Sequence, residues 1–215
     1  MATSLTLQND ASLAQGYVKV NGTTSATFTT SGITGNLTGN VTGNVTGNVT
    51  GSLTSGGSLT LATAQTATGT AVDFTGIPSW VKRITVMFVG VSTSGTSSPL
   101  IQLGTGGTPT TTGYLGANWW TTHIGSNQLS NFNTGFGLNL LNGAAAAVYH
   151  GSIVCTLQTG NTWACSFVLG QSNAASAGNG AGSIALAGVL NLVRITTVNG
   201  TDTFDAGTIN ISFEG

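Results

Sequence analysis

Few side chains in this sequence are suited to acid–base or nucleophilic chemistry. Asp202 and Asp205 stand three residues apart, and a pair of carboxylates is what many glycoside hydrolases use. Carboxylates in Gly- and Thr-rich turns more commonly accept hydrogen bonds from nearby backbone, and we favour that interpretation here. His123 and His150 lack an adjacent nucleophile motif, and no phosphate-cradling loop is present. The sequence therefore predicts that the protein is not an enzyme and uses no cofactor.

The two cysteines lie in the best-defined predicted hairpin, whose strands are residues 152–158 and 162–169. Alternation along both strands, with a three-residue turn, places Cys155 opposite Cys165. The pair is either a cross-strand disulfide or two buried thiols that pack as small apolar groups. We favour free thiols because the chain has no secretory signal. A metal site is not predicted, since the two histidines and two cysteines form no ligand cluster of recognisable spacing.

Aromatic side chains form the more promising candidate site. A polar segment, residues 104–131, separates two groups of predicted strands and contains Tyr114, Trp119, Trp120 and His123. Aromatic rings among Gly, Thr and Asn residues suit stacking on sugar rings, while amides and hydroxyls bind sugar hydroxyls. The alternative is that the tryptophans fill a core or a subunit interface. Because adjacent residues of a strand point to opposite faces, at most one of Trp119 and Trp120 is expected in the same core.

The elements around these residues are predicted to be β-strands. Strand-like segments follow one another from residue 59 onward, with Gly, Asn and Ser turns between them and no helical periodicity. A second loop, residues 171–182, is a candidate tip because its composition favours freedom over packing. The pattern predicts an all-β fold whose C-terminal head, residues 59–215, is a β-sandwich of jelly-roll type. The strands are expected at 59–64, 70–75, 82–91, 99–104, 132–141, 146–158, 162–170, 183–198 (interrupted) and 207–213.

A four-residue repeat precedes the head. It runs from Ile33 to Ser55 with an aliphatic residue at every fourth position, followed by Thr and usually by Gly and Asn. A helix of these residues would have poor propensity, whereas in extended chain every aliphatic side chain points to one side. A single narrow apolar stripe cannot bury itself, so we expect three chains to pair their stripes around an axis. The predicted axis residues are Ile33, Leu37, Val41, Val45, Val49 and Leu53.

Two other interpretations of the repeat exist. Gly/Thr/Asn sequence of low complexity is also typical of flexible linkers. The Asn-x-Thr triplets match the N-glycosylation acceptor motif, but four acceptors at four-residue spacing would crowd one another, and we regard them as by-products of the repeat. The predicted organisation is therefore an N-terminal attachment module at residues 1–32, which includes a hairpin, a trimeric shaft at residues 33–58, and the head.

Composition limits the classes of partner. The chain has 215 residues, of which 33 are Gly and only 4% are charged, and its net charge is −1. Ordinary soluble domains carry about a quarter charged residues. Four basic residues cannot neutralise many phosphates, so nucleic-acid binding is not expected. No apolar run approaches the roughly 20 residues of a membrane span. We expect synthesis in a host cytoplasm without membrane insertion.

Several longer segments resemble bacteriophage fibre proteins. The stretch AVDFTGIPSWVKRITVMFVGVSTSGTS, with IQLGTGG and GYLG after it, is similar to a domain of tail-fibre and virion-associated proteins of tailed bacteriophages. VLNLVRITTVNGTDTFDAGTINISFE resembles the end of that domain. LTLQNDASLAQGYVKV and the TGNVTGNVTGN array are similar to other stretches of phage fibres. The resemblance covers nearly the whole chain and implies a virion structural protein, usually trimeric, with no catalytic residues.

The favoured hypothesis is a homotrimeric tail fibre or adhesin, exposed on the virion and contributing to binding of a host-surface glycan. The N-terminal region would attach it to tail, baseplate or capsid proteins. The alternative is a capsid decoration (cement) protein or head fibre, since the chain is short for a tail fibre. A third class is a free lectin-like module.

Overall fold

The chain divides into two compact units, Met1–Thr50 and Gly51–Gly215. The computed structural model describes residues 59–215, except 123–124, 126, 139–143 and 146, and the backbone of four strands before residue 35. Within this described part the regular structure is entirely β, which confirms the predicted all-β class. No helix there is long and apolar enough to cross a membrane.

The N-terminal unit contains one antiparallel four-stranded sheet. Its strands are β1 (Leu5–Asp10), β2 (Gln15–Val20), β3 (Thr23–Thr29) and β4 (Gly32–Thr34), paired in chain order. Val20 lies opposite Thr23, as the predicted hairpin requires. Ile33, the first predicted axis residue, is in β4 opposite Phe28. The other predicted axis residues, Leu37, Val41, Val45, Val49 and Leu53, lie outside the described residues.

The C-terminal unit is built from two antiparallel sheets. The strands of the smaller sheet are β7 (Ala71–Thr75), β9 (Pro99–Thr105), β10 (Thr108–Pro109), β13 (Phe136–Gly137) and β17 (Leu190–Thr197). The strands of the larger sheet are β5 (Thr60–Leu61), β6 (Gln65–Thr66), β8 (Arg83–Thr93), β11 (Leu115–Thr122), β12 (Asn127–Asn131), β14 (Tyr149–Thr159), β15 (Thr162–Gln171), β16 (Ser176–Ala185) and β18 (Phe204–Glu214).

In the larger sheet the order is β12-β11-β16-β15-β14-β8-β18-β5, with β6 also on β18. In the smaller sheet it is β10-β9-β17-β7, with β13 also on β9. Side chains of both sheets contribute to one hydrophobic core. Strand β15 shows how the sequence specifies this core, because Trp163, Cys165, Phe167 and Leu169 are all buried and alternate with exposed residues.

Most predicted strands are observed close to their expected positions, and the predicted interruption of 183–198 falls between β16 and β17. No strand was predicted in the polar segment 104–131, and this was wrong, because β10, β11 and β12 lie within it. The prediction of a free tip at 171–182 was also wrong, because most of that segment belongs to β16, which pairs on both sides.

Close packing explains the composition of β16. Its inward positions include Gly178, Gly180 and Gly182, and a Cβ at any of them would overlap an aromatic ring. The rings belong to Trp120, Phe167 and Phe132, respectively. Glycine is thus required here for space, since the large side chains that fill the core arrive from neighbouring strands.

The cysteines correct the preference for free thiols. Cys155 and Cys165 are directly opposed in the register of β14 and β15, as predicted, and they form a disulfide. Their Cα atoms are 4.1 Å apart and both side chains are buried. Directly opposed cysteines whose side chains face the same way bring their sulfur atoms together, which allows the bridge to form.

Candidate functional site

Of the four residues predicted to form a site, the three that the structure describes do not come together on one surface. Trp119 and Trp120 point to opposite faces of β11, so that Trp119 is 43% exposed and Trp120 only 1%. Alternation along a strand requires this split. Tyr114 is buried as well, and His123 lies outside the described residues. Tyr114 and Trp120 are therefore corrected from ligand-binding candidates to core residues.

The hydroxyl of Tyr114 has a structural role. It accepts a hydrogen bond from the backbone nitrogen of Leu103 at 2.7 Å and donates one to the carbonyl of the same residue at 3.3 Å. Leu103 lies on the edge of β9 between the segments paired with β10 and with β13. The tyrosine fills this gap in the ladder, where buried backbone groups require partners. Burial raises the pKa of Tyr114, and the bond from Leu103 opposes the shift.

The inner face of β11 connects the two sheets. The ring of Trp120 lies edge-on to that of Tyr149, with 6.1 Å between their centroids. Asn118 is buried and donates from Nδ2 to the carbonyl of Gly137 in β13 at 2.8 Å. A buried amide costs free energy unless it is paired, so this bond fixes β11 against the smaller sheet. The inner half of the predicted site is thus part of the core.

The outer face of the larger sheet carries an open cavity of about 580 Å³ beside Trp119. It crosses five neighbouring strands, β12, β11, β16, β15 and β14. Exposed apolar groups contribute most of its lining, with hydroxyls and one outward-facing amide among them. The outward-facing residues that matter most are Trp119, Leu129, Ser152, Val154, Ser166, Val168 and Asn179.

The strand register orders these side chains. Trp119 lies opposite Leu129 on one side and opposite Asn179 on the other. Asn179 lies opposite Val168, which in turn lies opposite Ser152. These five residues form a continuous row across the outer face, with about 4.8 Å between neighbouring strands. Along the row, the indole of Trp119 is followed by the amide of Asn179, the methyl groups of Val168 and the hydroxyl of Ser152.

Among the described residues, no ionisable side chain lines this cavity. Arg83 of β8 and Glu214 of β18 are on the same face, where their side chains form a half-exposed ion pair at 3.4 Å. In the register, β8 lies next to β14 and therefore beyond the cavity. The cavity presents a neutral surface of aromatic, aliphatic, amide and hydroxyl groups.

The outer face of the smaller sheet has a different character. Arg194 donates two hydrogen bonds to the carboxylate of Asp73, at 2.8 and 2.7 Å, and this pairing raises the arginine pKa above its usual value. Arg194 also lines a polar cavity of about 310 Å³. Gln102 and Thr196, which also line it, donate to the backbone carbonyls of Thr134 and Thr70. Since these polar groups are engaged with the protein, this face offers a ligand less than the Trp119 face does.

The two carboxylates near the C-terminus accept hydrogen bonds from neighbouring groups. Asp202 lies in the loop before β18, as predicted, whereas the prediction of a turn position was wrong for Asp205, which belongs to β18. Asp202 accepts hydrogen bonds from Asn199 Nδ2 and from the backbone nitrogen of Ser97, both at 2.8 Å. These bonds hold the pKa of Asp202 below its usual value. Asp205 accepts a hydrogen bond from the hydroxyl of Ser92. Each carboxylate is therefore held by a loop or strand neighbour.

His150 is exposed, and its Nδ1 accepts a hydrogen bond from the backbone nitrogen of Gly90 at 3.3 Å. Within the described part of the chain, no three residues among His, Cys, Asp and Glu are grouped so as to hold a metal ion.

Sequence reasoning missed the residues that complete the Trp119 cavity. Asn179, Ser152 and Val168 come from strands distant in the chain, and only strand pairing brings them beside Trp119. The usable signal was the alternation of Gly with Ala, Asn and Ser over 176–183, which has the period of a strand. Neither protein-family models, nor curated proteins, nor solved structures gave a match to this chain.

Proposed function

We propose that this chain is a structural protein of a bacteriophage virion, a homotrimeric tail fibre or adhesin whose C-terminal unit contributes to host-surface binding. In this proposal the N-terminal unit attaches the fibre to other virion proteins. The four-residue repeat forms a trimeric shaft, and the two-sheet unit is a jelly-roll-like head exposed on the particle. The resemblance of residues 71–97 and 189–214 to phage fibre domains supports this proposal.

One structural observation carries the binding part of the proposal. The outer face of the larger sheet exposes Trp119, Leu129 and Val168 around an open cavity, and Leu129 and Val168 are 72% and 66% exposed. Scattered apolar residues on a surface need no explanation, but a contiguous exposed group marks an interaction site. A sheet face with an exposed indole suits an adhesin better than a spacer.

Avidity makes weak contacts sufficient. A trimer carries three copies of the cavity, and a particle that carries several fibres multiplies them again. Once one copy has bound, the others bind at a high effective concentration. The proposed head therefore does not need the deep, preformed pocket of a high-affinity receptor, and the open form of the Trp119 cavity is compatible with this function.

The test is to label purified virions with an antibody against the C-terminal unit and to image them by electron microscopy. Label at the tail is the expected result. Label distributed over the capsid would overturn the fibre proposal and identify a capsid decoration protein. The full-length chain, added in excess, should also compete with virions for adsorption to host cells, whereas a decoration protein should not.

A further inference from the structure

The row of side chains across the Trp119 cavity indicates what kind of molecule it would hold. We propose that this cavity binds an uncharged glycan, with the Trp119 ring stacked on a sugar face and Asn179, Ser152 and Ser166 bonded to its hydroxyls. This inference rests on the proposed function, because a host-surface adhesin would meet such a glycan on the cell, and it names the ligand class of the same site.

The ring of Trp119 is accessible on the side where its neighbours are two alanines. Ala117 precedes it by two residues on the same face, and Ala181 lies opposite Ala117 in β16. Both alanines line the cavity. They leave open space beside the indole, so that a flat apolar surface is able to approach it. The C–H face of a pyranose ring is such a surface, and aromatic side chains bury it while leaving the hydroxyls at the edge free to bond.

The polar groups lie where sugar hydroxyls would need them. Asn179 is next to Trp119 across one strand spacing, and Ser152 is two strands further along the row. Ser166 comes from the adjacent row, opposite Ala181. Among the described residues no hydrogen-bond partner is found for the side chains of Asn179, Ser152 or Ser166. Trp119 and Ser152 are about 14 Å apart along the row, at about 4.8 Å per strand, which allows contact with more than one sugar unit.

Charge selects a neutral ligand. The described residues that line the cavity include no cation to pair with a carboxylate, sulfate or phosphate group. Burying an unpaired anionic group against Val154, Val168 and the indole would remove its hydration without compensation. On the same face of β14, His150 lies two residues before Ser152 but does not line the cavity. Arg83, further along this face, is already paired with Glu214. Complementarity of charge therefore favours neutral hexose and N-acetylhexosamine units over uronic or sialic acids.

The test uses the full-length chain with a panel of neutral oligosaccharides containing glucose, galactose and N-acetylglucosamine, and a matched panel containing uronic or sialic acid. Binding is measured by calorimetry for the wild type, Trp119→Ala, Asn179→Ala and Leu115→Ala. Leu115 is the control because it is exposed on the same face of β11 but does not line the cavity. We expect binding of a neutral member, weakened about tenfold or more by Trp119→Ala and less by Asn179→Ala, with Leu115→Ala near wild type.

Three results would overturn the proposal. They are a preference for acidic members, no binding in the whole neutral panel, and neutral binding that Trp119→Ala leaves unchanged. Sedimentation of the same variants tests a different occupant, because loss of the oligomer in Trp119→Ala with unchanged sugar binding would assign the cavity to a second copy of the chain. The two proposals fail separately. Label at the virion tail without sugar binding would refute only the proposed ligand class. Sugar binding with label over the capsid would refute only the tail-fibre proposal.

Discussion

Gly178 and Trp120 lie directly opposite each other in the register of β16 and β11, and the indole ring covers the glycine so closely that a Cβ there would overlap it. The backbone carbonyl of Trp119 is also within 2.6 Å of that Cβ position. The ring of Trp120 is thus accommodated in the core only because β16 has no side chain at this point. The same strand exposes Asn179 on its other face, so this packing also positions the candidate site.

Gly178→Ala should destabilise the protein substantially. The added methyl group must displace either a buried ring or the backbone of the adjacent strand, and overpacking of this kind costs about 2 kcal/mol or more. The free energy of unfolding, measured in denaturant, checks this. Ala177→Val is the matched control, since it adds a larger group to the exposed outer face of the same strand and should change the free energy by less than about 0.5 kcal/mol. Equal stability of the two variants would contradict the packing described here.

Tyr114→Phe should destabilise the edge of β9. The variant keeps the ring but leaves the buried backbone nitrogen of Leu103 without its partner, at a cost of about 1–3 kcal/mol. Hydrogen exchange provides the readout, because the amide of Leu103 should lose protection while the amide of Val193, on the adjoining strand, stays protected. An unchanged exchange rate at Leu103 would show that the hydroxyl does not serve as its partner.

The free energy of unfolding at alkaline pH provides a second test of the buried Tyr114. Burial raises the pKa of Tyr114 in the folded protein above the usual tyrosine value of about 10. The unfolded chain ionises first, so the stability that the neutral phenol contributes is present below about pH 10 and is lost as the pH rises above it. The free energy of unfolding of the wild type should therefore fall more steeply above pH 10 than that of Tyr114→Phe. Parallel pH profiles would contradict this.

The sequence predicted the hairpin of β14 and β15 well because its register depends on local features. A short turn and strict alternation on both sides place Cys155 opposite Cys165 without reference to the rest of the chain. Strand β16 was not recognised, since its inward positions are glycines and the apolar half of the alternation is missing. The rings that fill those positions belong to Trp120, Phe132 and Phe167, and this packing is not visible along the chain.

The candidate site was predictable only in part for the same reason. Trp119 was found as an aromatic residue in a polar segment. Placing it in one site with Tyr114 and Trp120, however, depended on treating that segment as irregular rather than as strands. Once β11 is a strand, alternation separates Trp119 from Trp120. The partners it gains, such as Asn179 and Val168, follow from pairing between strands some 50 to 60 residues apart, which no local pattern specifies.

Reduction of the Cys155–Cys165 disulfide should lower the free energy of unfolding by about 2–3 kcal/mol, because the bridge closes a short loop and restricts the unfolded chain. Unfolding in denaturant with and without dithiothreitol measures this. The double variant Cys155→Ala/Cys165→Ala is the control, and reductant should leave its stability unchanged. Free thiols detected by alkylation of the non-reduced wild type under denaturing conditions would contradict the bridge.

Acid should weaken the loop around Asp202. Hydrogen bonds from Asn199 and Ser97 lower the pKa of Asp202 below the usual aspartate value of about 3.9. A carboxylate with a lowered pKa stabilises the fold above the unfolded value, and this contribution is lost as the pH falls through the folded value. The thermal midpoint of the wild type should exceed that of Asp202→Asn near neutral pH, and the difference should narrow below about pH 4. A difference that stays constant down to pH 2 would show that these bonds do not depend on the charge.

The proposed shaft is tested by Val45→Asp. In the trimer this substitution would place three carboxylates close together on the axis in apolar surroundings, and burying unpaired charges is strongly unfavourable. We expect the variant to dissociate or to lose stability, as measured by analytical ultracentrifugation and thermal unfolding. Thr46→Asp is the matched control, since the next residue of an extended chain points away from the axis and its charge should be tolerated. If Val45→Asp sediments as a trimer with the thermal stability of Thr46→Asp, the aliphatic positions of the repeat do not meet at an axis.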